Sequence, residues 1–153
     1  MRTVALAVLL ALLLPSCGGV EKEDLVGVWR VEKVSGYPEA GLDVLAWIMV
    51  FGDNGELKSV LLNLRDDVGS QSKNMEMVGA MLSGKWELSG DSIKVRALSG
   101  HDDVIKIERM EGDELVIRHK TFEITLTCRR FADDVDEAVE RLAGQKTVID
   151  RIR

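Results

Sequence analysis

Three short segments constrain this chain more than any other feature: Asp53-Asn54-Gly55, Ser89-Gly90-Asp91 and Glu111-Gly112-Asp113. Each separates two short apolar-rich runs. Each also holds residues that tolerate positive φ, so each reads as a tight β-hairpin turn. The flanking runs alternate with period two. Ile105 and Ile107 face one way, Lys106 and Glu108 the other. Phe122, Ile124 and Leu126 alternate with Glu123, Thr125 and Thr127 in the same manner. Such runs form half-buried strands with one face inside and one in water.

Eight strand-like runs follow one another between Leu25 and Phe131: LVGVWRVEKV, VLAWIMVF, ELKSVLLNL, GKWEL, SIKVRAL, DVIKIERM, ELVIRH and FEITLTCRRF. The tight turns join runs two to three, four to five and six to seven. The remaining connections are mostly longer: 35–43, 65–83 and 98–102. In an up-and-down arrangement, alternate connections fall at opposite ends. The expectation is therefore an all-β, eight-stranded, antiparallel up-and-down barrel, closed at the tight-turn end and open at the other. Closure removes exposed sheet edges. The short connection near Lys120-Thr121 belongs to the open end.

The pattern changes after Phe131. Val135, Val139 and Leu142 recur at helical spacing, with Asp133, Asp134 and Asp136 at the start and Lys146, Arg151 and Arg153 towards the end. That charge order suits a helix dipole, so 132–153 reads as a C-terminal α-helix. Its apolar stripe needs a patch on the outside of the barrel, which the second run, apolar on both faces, offers.

The first sixteen residues read as an export signal. Arg2 supplies the positive start and Val4–Leu14 an uncharged apolar stretch, too short to span a bilayer as a helix. Leu14-Pro15-Ser16-Cys17 resembles the lipobox of bacterial lipoproteins. The resemblance implies cleavage before Cys17, a diacylglycerol on its thiol and an acyl chain of the palmitate class on the new amino terminus. Two or more buried chains anchor stably, at roughly 0.8 kcal/mol per methylene. Residues 17–24 then form a short lipidated tether. Gly18 after the cysteine is compatible with sorting to the outer membrane, periplasmic face. Removing Arg2 from the 20 basic residues leaves 19 against 26 acidic, a net charge of −7. That balance argues against nucleic acid and against an electrostatic grip on anionic lipid. With Cys17 lipidated, only Cys128 is left, so no internal disulfide can form and stability rests on the core.

Gly27-Val28-Trp29 opens the first run and matches the G-x-W motif of the lipocalins. Eight strands, basic residues Arg129 and Arg130 ending the last run, and a following helix join it. The 25–131 segment thus resembles a lipocalin-like domain of a bacterial lipoprotein. The resemblance implies that Trp29 plugs the closed end and that an arginine packs across its ring; parity favours Arg130. It also implies a small apolar ligand held within the barrel. No pair of disulfide cysteines matches the family.

The inward face so inferred includes Trp29, Val31, Trp86, Ile93, Ile117 and Leu126 and carries no charge. An eight-stranded barrel either fills with side chains or holds one small ligand, and the sequence leaves both open. Tyr37, Trp47, Met75, Met77, Met81 and His119 are the candidate ligand-binding residues of the rim and upper wall. The methionine-rich 74–82 stretch reads as an adaptable apolar flap. A thioether copper(I) site completed by His119, inward by parity, or by His101 is the sharper reading of the same residues, but the histidines read better as surface or rim residues and no metal or cofactor is assigned. No catalytic constellation stands out. Asp66-Asp67, Asp102-Asp103 and Asp133-Asp134 read as solvated loop ends or helix caps, and Cys128 as a small core residue. The expectation is a non-enzymatic, membrane-anchored protein binding a small apolar ligand. The alternative is a filled barrel acting as a protein-interaction module with an envelope protein partner.

Overall fold

The computed structural model describes residues 19–36, 45–63 and 82–141. Eight strands form one closed barrel: β1 (Gly27–Ser35), β2 (Leu45–Phe51), β3 (Glu56–Asn63), β4 (Gly84–Ser89), β5 (Ser92–Ala97), β6 (Asp102–Glu111), β7 (Glu114–His119) and β8 (Ile124–Ala132). Each strand is antiparallel to the next, and β8 pairs back onto β1. The short helix α1 (Lys22–Leu25) precedes the barrel and α2 (Val135–Arg141) follows it.

Period-two patterning decides which side chains enter. Ile93 and Val95 of β5, Leu115 and Ile117 of β7, and Ile124, Leu126 and Cys128 of β8 are all buried, with more exposed residues between them. Three register shifts adjust this alternation, one of them on β1 between Val28 and Trp29. On β6 the register shifts between Ile107 and Arg109, which brings Met110 opposite Leu115. On β1 it shifts between Val31 and Lys33, so that Val34, not Lys33, continues the inward row. A bulge adds one residue and reverses parity beyond it, a local event that strict alternation in sequence does not reveal. The eighth strand also begins later than its sequence suggests. Phe122 and Glu123 belong to a turn closed by the Glu123 N–H to Lys120 carbonyl hydrogen bond (3.3 Å), and the ladder starts at Ile124.

The tight turns lie together at one end. The carbonyls of Gly55, Asp91 and Asp113 accept the backbone N–H groups of Trp86, Ile107 and Arg130 at 2.8, 2.7 and 2.8 Å, so each turn is tied to the strand beyond its hairpin. Leu25, fully buried, closes this end from α1. Trp29 Nε1–H donates to the Leu25 carbonyl (2.8 Å), and the Arg130 guanidinium lies over the indole, 4.4 Å from its centre. Arg130 also donates to the carbonyls of Val26 (2.9 Å) and Asp24. Gly27 is where this packing demands glycine. Its φ is +138°, and a Cβ there would stand 2.6 Å from Arg130 Nη1 and 3.1 Å from the Ala132 carbonyl.

The second apolar face of β2 is covered, as its sequence requires. Ile48 and Val50 join Val28, Ala132 and the fully buried Ala138 of α2 in a small cluster outside the barrel. Asp134 Oδ1 accepts the Glu137 N–H (2.8 Å) and Glu137 reaches back to the Asp133 N–H (2.8 Å), which satisfies the first turn of α2. The helix expected over 132–153 is thus present as Val135–Arg141; 142–153 lie outside the described residues.

Candidate functional site: the open end of the barrel

The interior restricts where a ligand can go. Trp29, Met49, Ile93, Leu115 and Cys128 each have 0% exposure, so the lower and middle layers are filled by the protein's own side chains. Each such large apolar side chain contributes about 1.5–3 kcal/mol by leaving water. Phe51 and Trp86 meet edge to face at 5.2 Å, and Trp86 Nε1–H donates to the Gly52 carbonyl (3.2 Å). These rings belong to the closed end. Among the described residues, half-buried apolar side chains on this core include Val26, Leu88 and Met110 near the closed end and Val34 and Phe122 towards the other.

Among the described residues the buried polar side chains are Ser59 and His119. Ser59, midway along β3, accepts the Trp47 Nε1–H at 2.7 Å. Its backbone N–H donates to Ser83 Oγ (2.9 Å), which bridges β3 to the segment entering β4 just beyond the two paired positions of that ladder. Trp47, a candidate residue of the rim and upper wall, is an interior residue with its polar edge satisfied; its exposure is 1%.

His119, the last residue of β7, is also inside, with 1% exposure, and not on the rim. Its cross-strand neighbours are Ile105 and Ile124. Nδ1 accepts the Phe122 backbone N–H (3.3 Å), which puts the ring proton on Nε2. Nε2 lies 2.6 Å from Asp103 Oδ2 but has no well-aligned hydrogen-bond acceptor, so the contact is electrostatic and off-axis. Asp103 Oδ1 in turn accepts from Val104 N–H (2.8 Å) and Thr121 Oγ1 (3.4 Å). The Phe122 ring stacks on the imidazole, with centres 4.5 Å apart and planes at 30°. Burial pushes the His119 pKa below its ordinary value, and the Asp103 carboxylate offsets part of that. The imidazole is consequently neutral at pH 7, and both nitrogens are engaged by the chain itself.

This geometry corrects the reading of His119 as a surface or rim residue and agrees with that reading of His101. His119 is an internal, partnered group, whereas His101 is exposed. Asp103 was not distinguished from Asp102 in sequence. Its parity with Ile105 and Ile107 is the signal that marks it as inward. Tyr37, Met75, Met77, Met81 and Asp66-Asp67 lie outside the described residues, as does Cys17. Cys128 is buried, and its thiol is pushed up to about 12, chiefly by burial and secondarily by Glu32, so it carries no thiolate at neutral pH. The outer face of β4–β6 holds a cleft of about 450 Å³, but its positive and negative charges balance. Lys94 pairs with Glu87 (4.0 Å) and Arg96 with Asp102 (3.3 Å). Exposed pairs of this kind contribute little and select for no ligand charge.

A scan against family models, a search of curated proteins and a search of solved structures each returned no match to this chain.

Proposed function

We propose that this chain is a membrane-anchored, lipocalin-like lipoprotein of the bacterial cell envelope that holds a small apolar ligand at the mouth of its barrel. The observation that carries the reading is the distribution of polarity inside the closed sheet. Among the described residues the inward face is apolar from the Trp29 plug upward, and the buried polar groups, Ser59 and His119, lie midway and at the open end. With the lower layers filled, the ligand occupies the top layer, against Phe122 and Val34 and above Trp47. Burying roughly 200 Å² of apolar ligand surface there contributes about 5 kcal/mol before association costs, which bounds the Kd at about 0.2 mM or weaker from this contact alone. Gly19 and Val20 lead into α1 at the closed end, so an acylated Cys17 holds that end near the membrane and leaves the mouth facing away.

The near-zero exposure of Ile93, Leu115, Ile117 and Trp29 favours a second reading: a solid barrel whose outer surface binds an envelope protein. Native mass spectrometry of the protein released from its own membranes separates the two. A co-purifying small molecule, or saturable binding of an environment-sensitive apolar dye that Phe122→Asp abolishes, supports the mouth site. A bare mass, no dye binding and a stoichiometric protein partner overturn it. Mass spectrometry of the N-terminal peptide tests the anchor: acylated Cys17 supports it, an unmodified cysteine overturns it.

A further inference from the structure

We propose that the β7–β8 turn is a proton-operated latch at the mouth: a proton taken up by His119 Nδ1 releases Phe122 and loosens the Lys120–Glu123 turn. The inference concerns the turn itself and stands apart from any ligand.

The turn is held at two points. On one side Nδ1 accepts the Phe122 N–H (3.3 Å) while the two rings stack. On the other side it abuts the end of β1, where a Cβ on Gly36 would stand 2.3 Å from the Glu123 carbonyl oxygen. Between them Glu123 has φ +53°, a left-handed conformation that a non-glycine residue keeps only when its surroundings impose it. Protonation turns Nδ1 from acceptor to donor. The Phe122 N–H then faces another N–H, and a partly buried donor is left without its partner. The new charge remains beside Asp103, 2.6 Å from Nε2, so the imidazolium is held in place while the turn loses its tie. Relief of the Glu123 conformation adds to the release.

Among the described residues the charges facing the ring are few. β6 presents Asp103; β8 presents Ile124; the turn presents Phe122, while Lys120, Glu123 and His101 are exposed to solvent. Thr121 contacts Asp103, not the ring. Because burial depresses the basicity of His119, the latch is shut at neutral pH and opens on the acid side of the usual histidine range.

The test is NMR of the labelled protein from about pH 7.5 to about pH 4.5, a window bracketing the usual histidine titration. His101→Gln leaves one histidine to follow. The Phe122 amide protection factor is expected to fall about five- to tenfold, the factor matching one hydrogen bond's net contribution. The midpoint should coincide with the His119 ring titration, with Ile117 protection unchanged. In His119→Gln, whose amide oxygen accepts the same N–H but takes no proton in this range, Phe122 protection should stay flat. Constant Phe122 protection through the ring titration, or the same acid loss in His119→Gln, overturns the proposal. A separate arm uses Asp103→Asn, which keeps the ring and removes the opposing charge. It should move the midpoint of both signals to lower pH together; movement of one without the other overturns the latch.

Discussion

Replacing Arg130 with methionine should loosen the closed end by an amount that can be worked from its contacts. The substitution keeps an unbranched apolar stem over the Trp29 ring but removes the guanidinium, whose centre stands 4.4 Å from that ring. A half-desolvated cation–π contact of this kind contributes about 1 kcal/mol. The bond to the Val26 carbonyl (2.9 Å), charge-assisted and partly buried, contributes about 1–1.5 kcal/mol. The bond to the exposed Asp24 carbonyl and the longer approaches to Asp113 (4.0 Å) and Asp133 (3.8 Å) add little. The expected loss is about 2–2.5 kcal/mol, or roughly 6–12 °C in Tm for a domain of this size. Urea unfolding followed by circular dichroism measures it, with Arg130→Lys as the comparison. Lysine restores the charge without the fork and should recover less than half of the loss. An Arg130→Met protein within about 0.5 kcal/mol of the parent would refute the reasoning, because a surface substitution with no special contacts costs that much.

Gly27→Ala should cost about 2 kcal/mol or more, since φ +138° and the 2.6 Å approach to Arg130 both exclude a Cβ; an unchanged urea midpoint would contradict this. Ser59→Ala leaves the Trp47 indole N–H buried without its acceptor and should destabilise by about 1–3 kcal/mol, measured in the same assay. Cys128 should resist iodoacetamide in the folded protein at neutral pH and react only as fast as the chain unfolds; rapid labelling of folded protein would show the thiol to be accessible. Because the His119 pKa is lower folded than unfolded, its contribution to stability is complete above its ordinary value of 6.5 and is lost as pH falls through the depressed folded value. His119→Gln should flatten that part of the stability–pH curve.

The barrel was legible in sequence because its determinants are local. Turn chemistry at Gly55, Gly90 and Gly112 fixes three hairpins, and strict alternation on β5, β7 and β8 fixes which face enters. The covered outer face of β2 was legible for the same reason, since Ile48 and Val50 have no polar neighbours to spare. What escaped was set by single-residue offsets and by partners distant in sequence. The β1 bulge exchanges Lys33 for Val34, and nothing in EKVS announces it. His119 and Asp103 meet because β6 and β7 lie side by side, sixteen positions of chain closing on one contact of 2.6 Å. Parity places His119 inward near the mouth but does not reveal that the turn after it folds back and buries its ring against Phe122.

The central claim is a sheet closed through β1 and β8 over a solid lower core. NMR cross-strand contacts test it most directly. Backbone contacts from Val31 to Cys128 and from Trp29 to Arg130, with slowly exchanging amides along both strands, are the predicted result. Fast exchange along either facing edge, without those contacts, would show an open sheet and contradict the account.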